Sequence, residues 1–193
     1  MEKIVIEEVK GQDIDICREL CNELMKYQQS KAFIAKEAFD LMNFDTRMKK
    51  SYERSPISQV LVAKDGEIPV GYIFSTVDAI LEPMKKFPDW APNKEVPGVK
   101  GFYPDWLQYP IKIGCISNFY LKESYRGSRI GKELFEKAME WLKSFNGVDF
   151  IFAYISNGND SALDFYLKNG FKYSHEVFGG FIKTTYFSKR DNQ

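Results

Sequence analysis

The sequence predicts a mixed α/β fold: a central sheet, mostly antiparallel, with one parallel β-α-β crossover and helices on both faces. Three observations predict it. Residues 59–64 and 70–77 are short runs rich in Val, Ile and Phe around Asp65–Gly66, the pattern of a hairpin. Residues 111–121 and 148–155 are longer apolar runs separated by one helical pattern, and strands so joined form a right-handed parallel unit. Two more strand-like runs, 171–177 and 181–188, flank Phe178–Gly179–Gly180. Early hairpins with a single late crossover do not make a doubly wound sheet.

The elements follow in order. Residues 3–9 (KIVIEEV) read as a first strand. Asp13 is placed to cap a helix in which Cys17, Leu20, Cys21 and Leu24 recur at helical spacing. The spacing predicts a second helix over residues 35–51, with Ala38, Leu41, Met42 and Met48 facing inward and Ser55–Pro56 ending it. The loop at Asp65–Gly66 reads as longer than the tightest hairpin turn, and Gly71 inside a strand pattern as a close backbone approach or bend.

Residues 78–110 break the pattern. Pro83, Pro88, Pro92, Pro97, Pro104 and Pro110 preclude a long helix or a central strand there. Phe87, Trp90, Phe102, Tyr103, Trp106 and Tyr109 favour an ordered excursion over disorder. The expected organisation is one domain, residues 1–193, with a Pro/aromatic-rich insertion at 78–110. A helix over 130–145 then carries Leu134, Ala138, Leu142 and Phe145 on one face, and Gly170 stops a short helix over 160–168.

At 193 residues, with 44% hydrophobic and 28% charged, the chain can bury a core without metals or disulfides. Lys plus Arg and Asp plus Glu balance at 27 each, so there is no basic surplus of the kind that holds nucleic acid. Lys49–Lys50, Lys85–Lys86 and Lys189–Arg190 read as solvated surface pairs. The start MEKIVIEEVK is too short and too acidic for a signal peptide, and no run approaches the ~20 apolar residues of a membrane span. A cytoplasmic protein without membrane or nucleic-acid partners is expected. Cys17, Cys21 and Cys115 are an odd, scattered set and read as core thiols, not as a disulfide framework or a zinc site. The single histidine, His175, reads as a surface or strand residue.

Residues 121–132, LKESYRGSRIGK, carry the chemistry. A strand runs into an Arg- and Gly-containing turn from which a helix starts at once. The first N–H groups of a helix lack internal partners, and the helix dipole favours an anion in front of them. Gly127 and Gly131 admit a ligand close to the backbone, while Arg126, Arg129 and Lys132 add positive charge. This is a diphosphate seat by its physics, although a Gly-containing strand–helix turn also arises for geometric reasons alone.

These residues resemble the GNAT superfamily of N-acetyltransferases, whose fingerprint is Arg or Gln, two residues, Gly, one residue, then Gly or Ala. Arg126 takes the first place and Gly131 the last, while Arg129 stands where the family has glycine. Arginine fits if its backbone is already helical. Asn159, Ala162, Tyr166 and Gly170–Phe171 reproduce a second family pattern in the right order. The resemblance covers most of residues 3–188 and explains 78–110 least.

The resemblance implies a GNAT-like sheet and acetyl transfer from acetyl-CoA, bound as co-substrate without a metal, to a primary amine that attacks directly in a ternary complex. It implies a coenzyme site at Phe119, Tyr120, Leu121, Arg126, Gly127, Ser128, Arg129, Ile130, Gly131, Lys132 and Asn159, with Tyr166 as the acid for the leaving thiolate. Tyr166 also reads as a buried core aromatic and Asn159 as a helix cap. The base is open among Glu123, Glu82 and a water chain, because Asn118 stands where a carboxylate would serve. The acceptor, a small-molecule or peptide amine, is expected to meet the turn after the first helix, residues 78–110 and the loop at Phe178–Gly180. A homodimer is allowed. A non-catalytic acyl-CoA sensor of the same fold and a nucleotide-binding module are the rivals; the turn's lack of a Gly-Lys-Ser/Thr ending weighs against the second.

Overall fold

A computed structural model describes residues 4–82 and 101–192. The prolines and aromatics expected between 83 and 100, and the pair Lys85–Lys86, lie outside the described residues. The strands are β1 (Ile4–Val9), β2 (Ser58–Asp65), β3 (Ile68–Ile80), β4 (Ile111–Leu121), β5 (Val148–Ser156), β6 (Lys172–Val177) and β7 (Ile182–Ser188). They form one sheet in the order β1-β2-β3-β4-β5-β7-β6. Among the described residues only β4 and β5 pair in parallel; the other neighbours are antiparallel. The α-helices are α1 (Arg18–Lys31), α2 (Lys50–Arg54), α3 (Arg129–Ser144) and α4 (Asp160–Lys168).

Strand alternation sets the layers. Leu61 and Ala63 of β2 and Ile73 and Val77 of β3 share one face of the sheet, where Leu134, Ala138 and Leu142 of α3 pack with α4. Val60, Val62, Tyr72 and Phe74 share the other face, under Leu20, Cys21 and Leu24 of α1. Fully buried leucines such as Leu20 and Leu134 each contribute about 1.5–3 kcal/mol of burial. Cys17 and Cys21 are core thiols, as expected; burial pushes both up, Cys17 the more clearly for the neighbouring Cys21.

Three expectations need correction. Asp13 does not cap the first helix: it lies in a 3-10 turn, Gly11–Cys17, and α1 begins only at Arg18. The single helix over 35–51 is broken into a 3-10 turn (Lys36–Leu41), a π-helical turn (Phe44–Lys49) and the short α2. Asn43 breaks it. Its backbone is extended (φ −150°, ψ −175°), its side chain accepts from the Thr46 N–H at 3.1 Å, and Thr46 Oγ1 accepts from the Asn43 N–H at 3.0 Å. This reciprocal box favours a new helix start over continuation. Phe39, Phe44 and Met48 are therefore the buried residues, whereas Leu41 is exposed and Ala38 and Met42 are half-buried. The β2–β3 loop is the tight two-residue kind, since Asp65 pairs with Ile68, and Gly66 adopts φ +60°.

The close approach at Gly71 is real. A Cβ there would stand 2.6 Å from Leu121 Cδ1 and 2.9 Å from the Tyr120 carbonyl oxygen. This contact seats the end of β4 against β3.

Candidate active site

The site begins as a fault in the sheet. β4 and β5 pair only where Lys112–Ile116 faces Val148–Ala153, and beyond that they part. On the other side of β4 the register with β3 slips: Phe74 pairs with Asn118 and Ser75 with Ile116. Ser117 is the extra residue of a β-bulge, and bulges bend their strand. The end of β4 thus lines a cleft of about 400 Å³.

Into this cleft the fold brings Phe119, Tyr120 and Leu121 of β4, Arg126, Gly127 and Ser128 of the turn, Gly131 and Lys132 of α3, and Asn159 and Tyr166. Arg129 and Ile130 are not among its lining residues: Ile130 packs on the core and the Arg129 side chain is exposed.

The turn forms for local reasons. Gly127 takes φ +76°, a left-handed conformation that glycine adopts at no steric cost. Ser128 is the extended N-cap of α3; its hydroxyl donates to the Tyr125 carbonyl at 2.5 Å and accepts distantly, at 3.4 Å, from the Ile130 N–H. α3 starts at Arg129, so that position is helical and does not require glycine. The Tyr125 hydroxyl donates to Asp65 at 2.9 Å and braces the turn against the β2–β3 hairpin. The first-turn N–H groups of α3 lack intrahelical acceptors, and together with the dipole they make the end of the cleft attractive to an anion. A Cβ at Gly131 would meet Leu121 Cδ2 at 3.5 Å and Phe119 Cζ at 3.8 Å, ordinary contacts. The protein itself tolerates a side chain there; its absence leaves the cleft open.

Arg126 does more than add charge. Its Nε donates to the Leu121 carbonyl at 3.1 Å, and its guanidinium lies 4.7 Å from the Tyr27 ring centroid and 5.7 Å from that of Tyr120. It therefore bridges α1 and β4 at the cleft.

On α4, Asn159 occupies the N-cap position, yet its side chain makes no cap bond. Its Oδ1 accepts from the Ser161 hydroxyl at 3.2 Å, and the residue is buried in the cleft wall. Tyr166 is both core aromatic and cleft residue. Its ring packs edge-on to Phe171 (5.1 Å) and Phe135 (6.1 Å), and burial, with a smaller contribution from Cys115, pushes its hydroxyl well up. The proton is in place at neutral pH.

Other groups are set aside by geometry. Cys115 is buried, and burial pushes its thiol up to about 12, the reverse of an activated nucleophile. His175 is a buried strand residue whose Nε2 stands 2.8 Å from the Gly101 carbonyl oxygen. Glu123 and Glu82 are exposed and do not line the cleft. No metal-holding cluster of His, Cys, Asp or Glu occurs among the described residues, and no described helix is long and apolar enough to cross a membrane.

Sequence reasoning missed several participants. Leu24, Tyr27 and Gln28 of α1 form a wall of the cleft. Asn157, wholly buried after β5, fixes the loop that follows α1: its Oδ1 accepts from the Phe33 and Ile34 N–H groups at 2.7 and 2.8 Å. The Asn-Gly-Asn run at 157–159 was the available signal, a turn signature directly after a strand.

Three surroundings predicted for the acceptor do meet. Ala32, Ile34 and Phe39 after α1, Phe178 and Phe181 between β6 and β7, and Phe102 pack in one cluster with Tyr154 of β5.

Comparison with known proteins bears on the fold and on the family. No curated protein sequence matches the chain. Among solved structures, the PaiA N-acetyltransferase of Thermoplasma acidophilum in complex with coenzyme A is 19% identical, with 96% of this chain and 99% of that chain covered and a TM-score of 0.61. A GNAT-family acetyltransferase of Staphylococcus aureus Mu50 is 18% identical over 96% and 99%, with a TM-score of 0.58. The NatC complex bound to Gag peptide and CoA is 17% identical over 97% and 99%, also with a TM-score of 0.58. At these identities the likeness shows the fold. Residues 18–171 match the acetyltransferase (GNAT) family, and the chain belongs to it.

Proposed function

We propose that the protein is an N-acetyltransferase that moves the acetyl group of acetyl-CoA to a primary amine by direct attack in a ternary complex. The observation that carries this is the parting of β4 from β5 beside the start of α3, which brings a strand edge and Gly127, Ser128, Gly131 and Lys132 of the helix start to one cleft. The pantetheine arm adds to the free edge of Phe119–Leu121 in the manner of an extra strand. The diphosphate sits before the amides of Gly127–Gly131, with Arg126 and Lys132 beside it. Asn159 meets the arm from α4. The relatives crystallised with coenzyme A support the choice of ligand.

Acetyl-CoA brings the activated thioester. The protein's own part is to bind it, polarise its carbonyl with a β4 backbone N–H, and manage protons. Tyr166 serves the leaving sulfur. Burial that keeps its proton on also makes outright release costly, so the hydroxyl hydrogen-bonds the developing thiolate and transfers its proton as the C–S bond breaks.

The test has two parts. Titration calorimetry with CoA should give saturable binding that Arg126→Ala weakens. Tyr166→Phe should bind CoA as the native chain does yet turn over more slowly; unchanged turnover with chemistry rate-limiting removes Tyr166 from the mechanism.

A further inference from the structure

The cleft opens on both faces of the sheet, and the second face carries chemistry not yet used. Tyr166 approaches the β4–β5 gap from the α3/α4 side. Asn118 and Tyr154 belong to the other side: Asn118 pairs with Phe74, whose side chain faces α1, and Tyr154 packs with Phe102 and Phe178. Both line the cleft. Asn118 is 5% exposed, and its Oδ1 is a buried acceptor without a donor. An orphan acceptor in a cleft wall costs about 1–3 kcal/mol unless a ligand or water answers it.

Polar groups continue from there along the same face. Tyr103 and Tyr154 both pack on Phe152, the Tyr103 ring edge-on to it at 5.6 Å and the Tyr154 ring stacked on it at 6.5 Å, and the two phenols lie within electrostatic reach of one another. Asp78 of β3 lies within electrostatic reach of both tyrosines and of Cys115. Thr76 Oγ1 donates to its Oδ2 at 2.7 Å, and the Arg47 charge, from the π-helical turn, lies within electrostatic range of Cys115. Asp78 is half-buried, so a proton that arrives there has an outlet to water. The walls around Tyr154 are apolar: Phe102 stands 5.2 Å from it and 5.0 Å from Phe178. Phe178 and Ala35, the positive-φ non-glycine residues of the described chain (φ +54° and +46°), both belong to this wall, and such strain gathers at ligand sites.

We propose that the acceptor is a primary amine borne on an apolar or aromatic group, that it seats between Asn118 and Tyr154 on the sheet face opposite Tyr166, and that its proton leaves along Tyr154 and Tyr103 to Asp78. This rests on the acetyl-CoA reading above. The ammonium N–H bond breaks and its proton passes to the Asp78 carboxylate and then to solvent. The freed lone pair forms the bond to the thioester carbon. The C–S bond breaks, the sulfur takes the Tyr166 proton, and the second proton of the attacking nitrogen restores the Tyr166 hydroxyl. The products are the amide, free CoA thiol and one proton released.

The test uses the full chain with acetyl-CoA and phenethylamine as probe, CoA release being followed between pH 7 and 10, with CoA affinity measured separately. An alkylammonium has a pKa near 10, so at pH 7 only about a thousandth is free amine. The native protein should acetylate phenethylamine. Asp78→Asn should lower kcat/KM about 10³-fold at pH 7, which matches the scarcity of free amine there and lies within what loss of a general base costs. Its rate should then climb about tenfold per pH unit and approach the native rate near pH 10, where the base is no longer needed. Tyr103→Phe should follow the same profile. Asn118→Ala and Phe178→Ala should raise KM for phenethylamine with CoA affinity unchanged. Parallel pH profiles for native protein and Asp78→Asn overturn the proton route. A native protein that binds CoA but leaves phenethylamine untouched overturns the acceptor assignment and spares the coenzyme reading; failure to bind CoA sinks that reading instead.

Discussion

Replacing Asn157 by alanine should loosen the acceptor side of the molecule without touching the coenzyme seat. Its carboxamide is wholly buried and makes four hydrogen bonds. Oδ1 accepts from the Phe33 and Ile34 N–H groups at 2.7 and 2.8 Å, and Nδ2 donates to the Ile34 and Phe181 carbonyls, both at 3.2 Å. At about 0.5–1.5 kcal/mol each the sum is about 2–6 kcal/mol. Phe33 is 73% exposed, so water can answer its N–H; the other three bonds give about 1.5–4.5 kcal/mol, and about 3 kcal/mol is expected. For a chain of this size that lowers the melting temperature by about 5–10 °C. Urea unfolding gives the free energy, and calorimetry gives CoA affinity, which should hold because Asn157 does not line the cleft. Asn157→Asp adds a sign test. Its carboxylate keeps both acceptor contacts but faces two carbonyl oxygens in a buried place, which raises its folded pKa above the unfolded value. The variant should gain stability as pH falls through that pKa and lose it as pH rises. A loss under about 1 kcal/mol in Asn157→Ala, or an Asn157→Asp variant that weakens on acidification, refutes the reasoning.

Further outcomes follow from single contacts. Gly71→Ala should cost about 1–3 kcal/mol, because its Cβ would meet Leu121 and the immovable Tyr120 carbonyl, and should weaken CoA binding through Leu121; native-like unfolding would contradict the close approach. Cys17, Cys21 and Cys115 are buried with raised pKa values, so an aromatic disulfide reagent at pH 8 should label them only after urea; one fast thiol in the native protein would contradict their placement. The Arg18 guanidinium, which donates to Asp45 at 2.5 Å, holds that carboxyl below the ordinary aspartate range. Whatever the pair contributes is present above the unfolded pKa and fades as pH falls through the lower folded value; an NMR titration that gives Asp45 an ordinary midpoint, or one unmoved by Arg18→Ala, would refute the pairing.

Much of the strand–turn–helix proposed to hold the coenzyme was legible because it is local. Strand, turn and helix follow one another within residues 111–145, and periodicity plus Gly127 place the amides of α3 without long-range information. Tyr166 was singled out only through the resemblance of the Asn159, Ala162, Tyr166 pattern to the GNAT family. The acceptor side was not, because it is assembled from distant pieces: Asn157 reaches Phe33, and Tyr154 meets Phe102 and Phe178. The second helix failed on one side chain. Residues 35–51 have helical apolar spacing, but the Asn43–Thr46 box offers the backbone a better local partner and restarts the helix there. Arg129 shows the limit of motif matching, since its position is helical and needs no glycine, while the residue itself is not among those lining the cleft.

The central claim is that the unpaired amides at the start of α3 and the free edge of β4 hold one coenzyme between them. A crystal structure with CoA tests it most directly. Diphosphate oxygens should lie within hydrogen-bond distance of the Gly127–Gly131 amides, with the pantetheine arm paired along Phe119–Leu121. Coenzyme bound elsewhere, with the β4–β5 gap closed or empty, would contradict it.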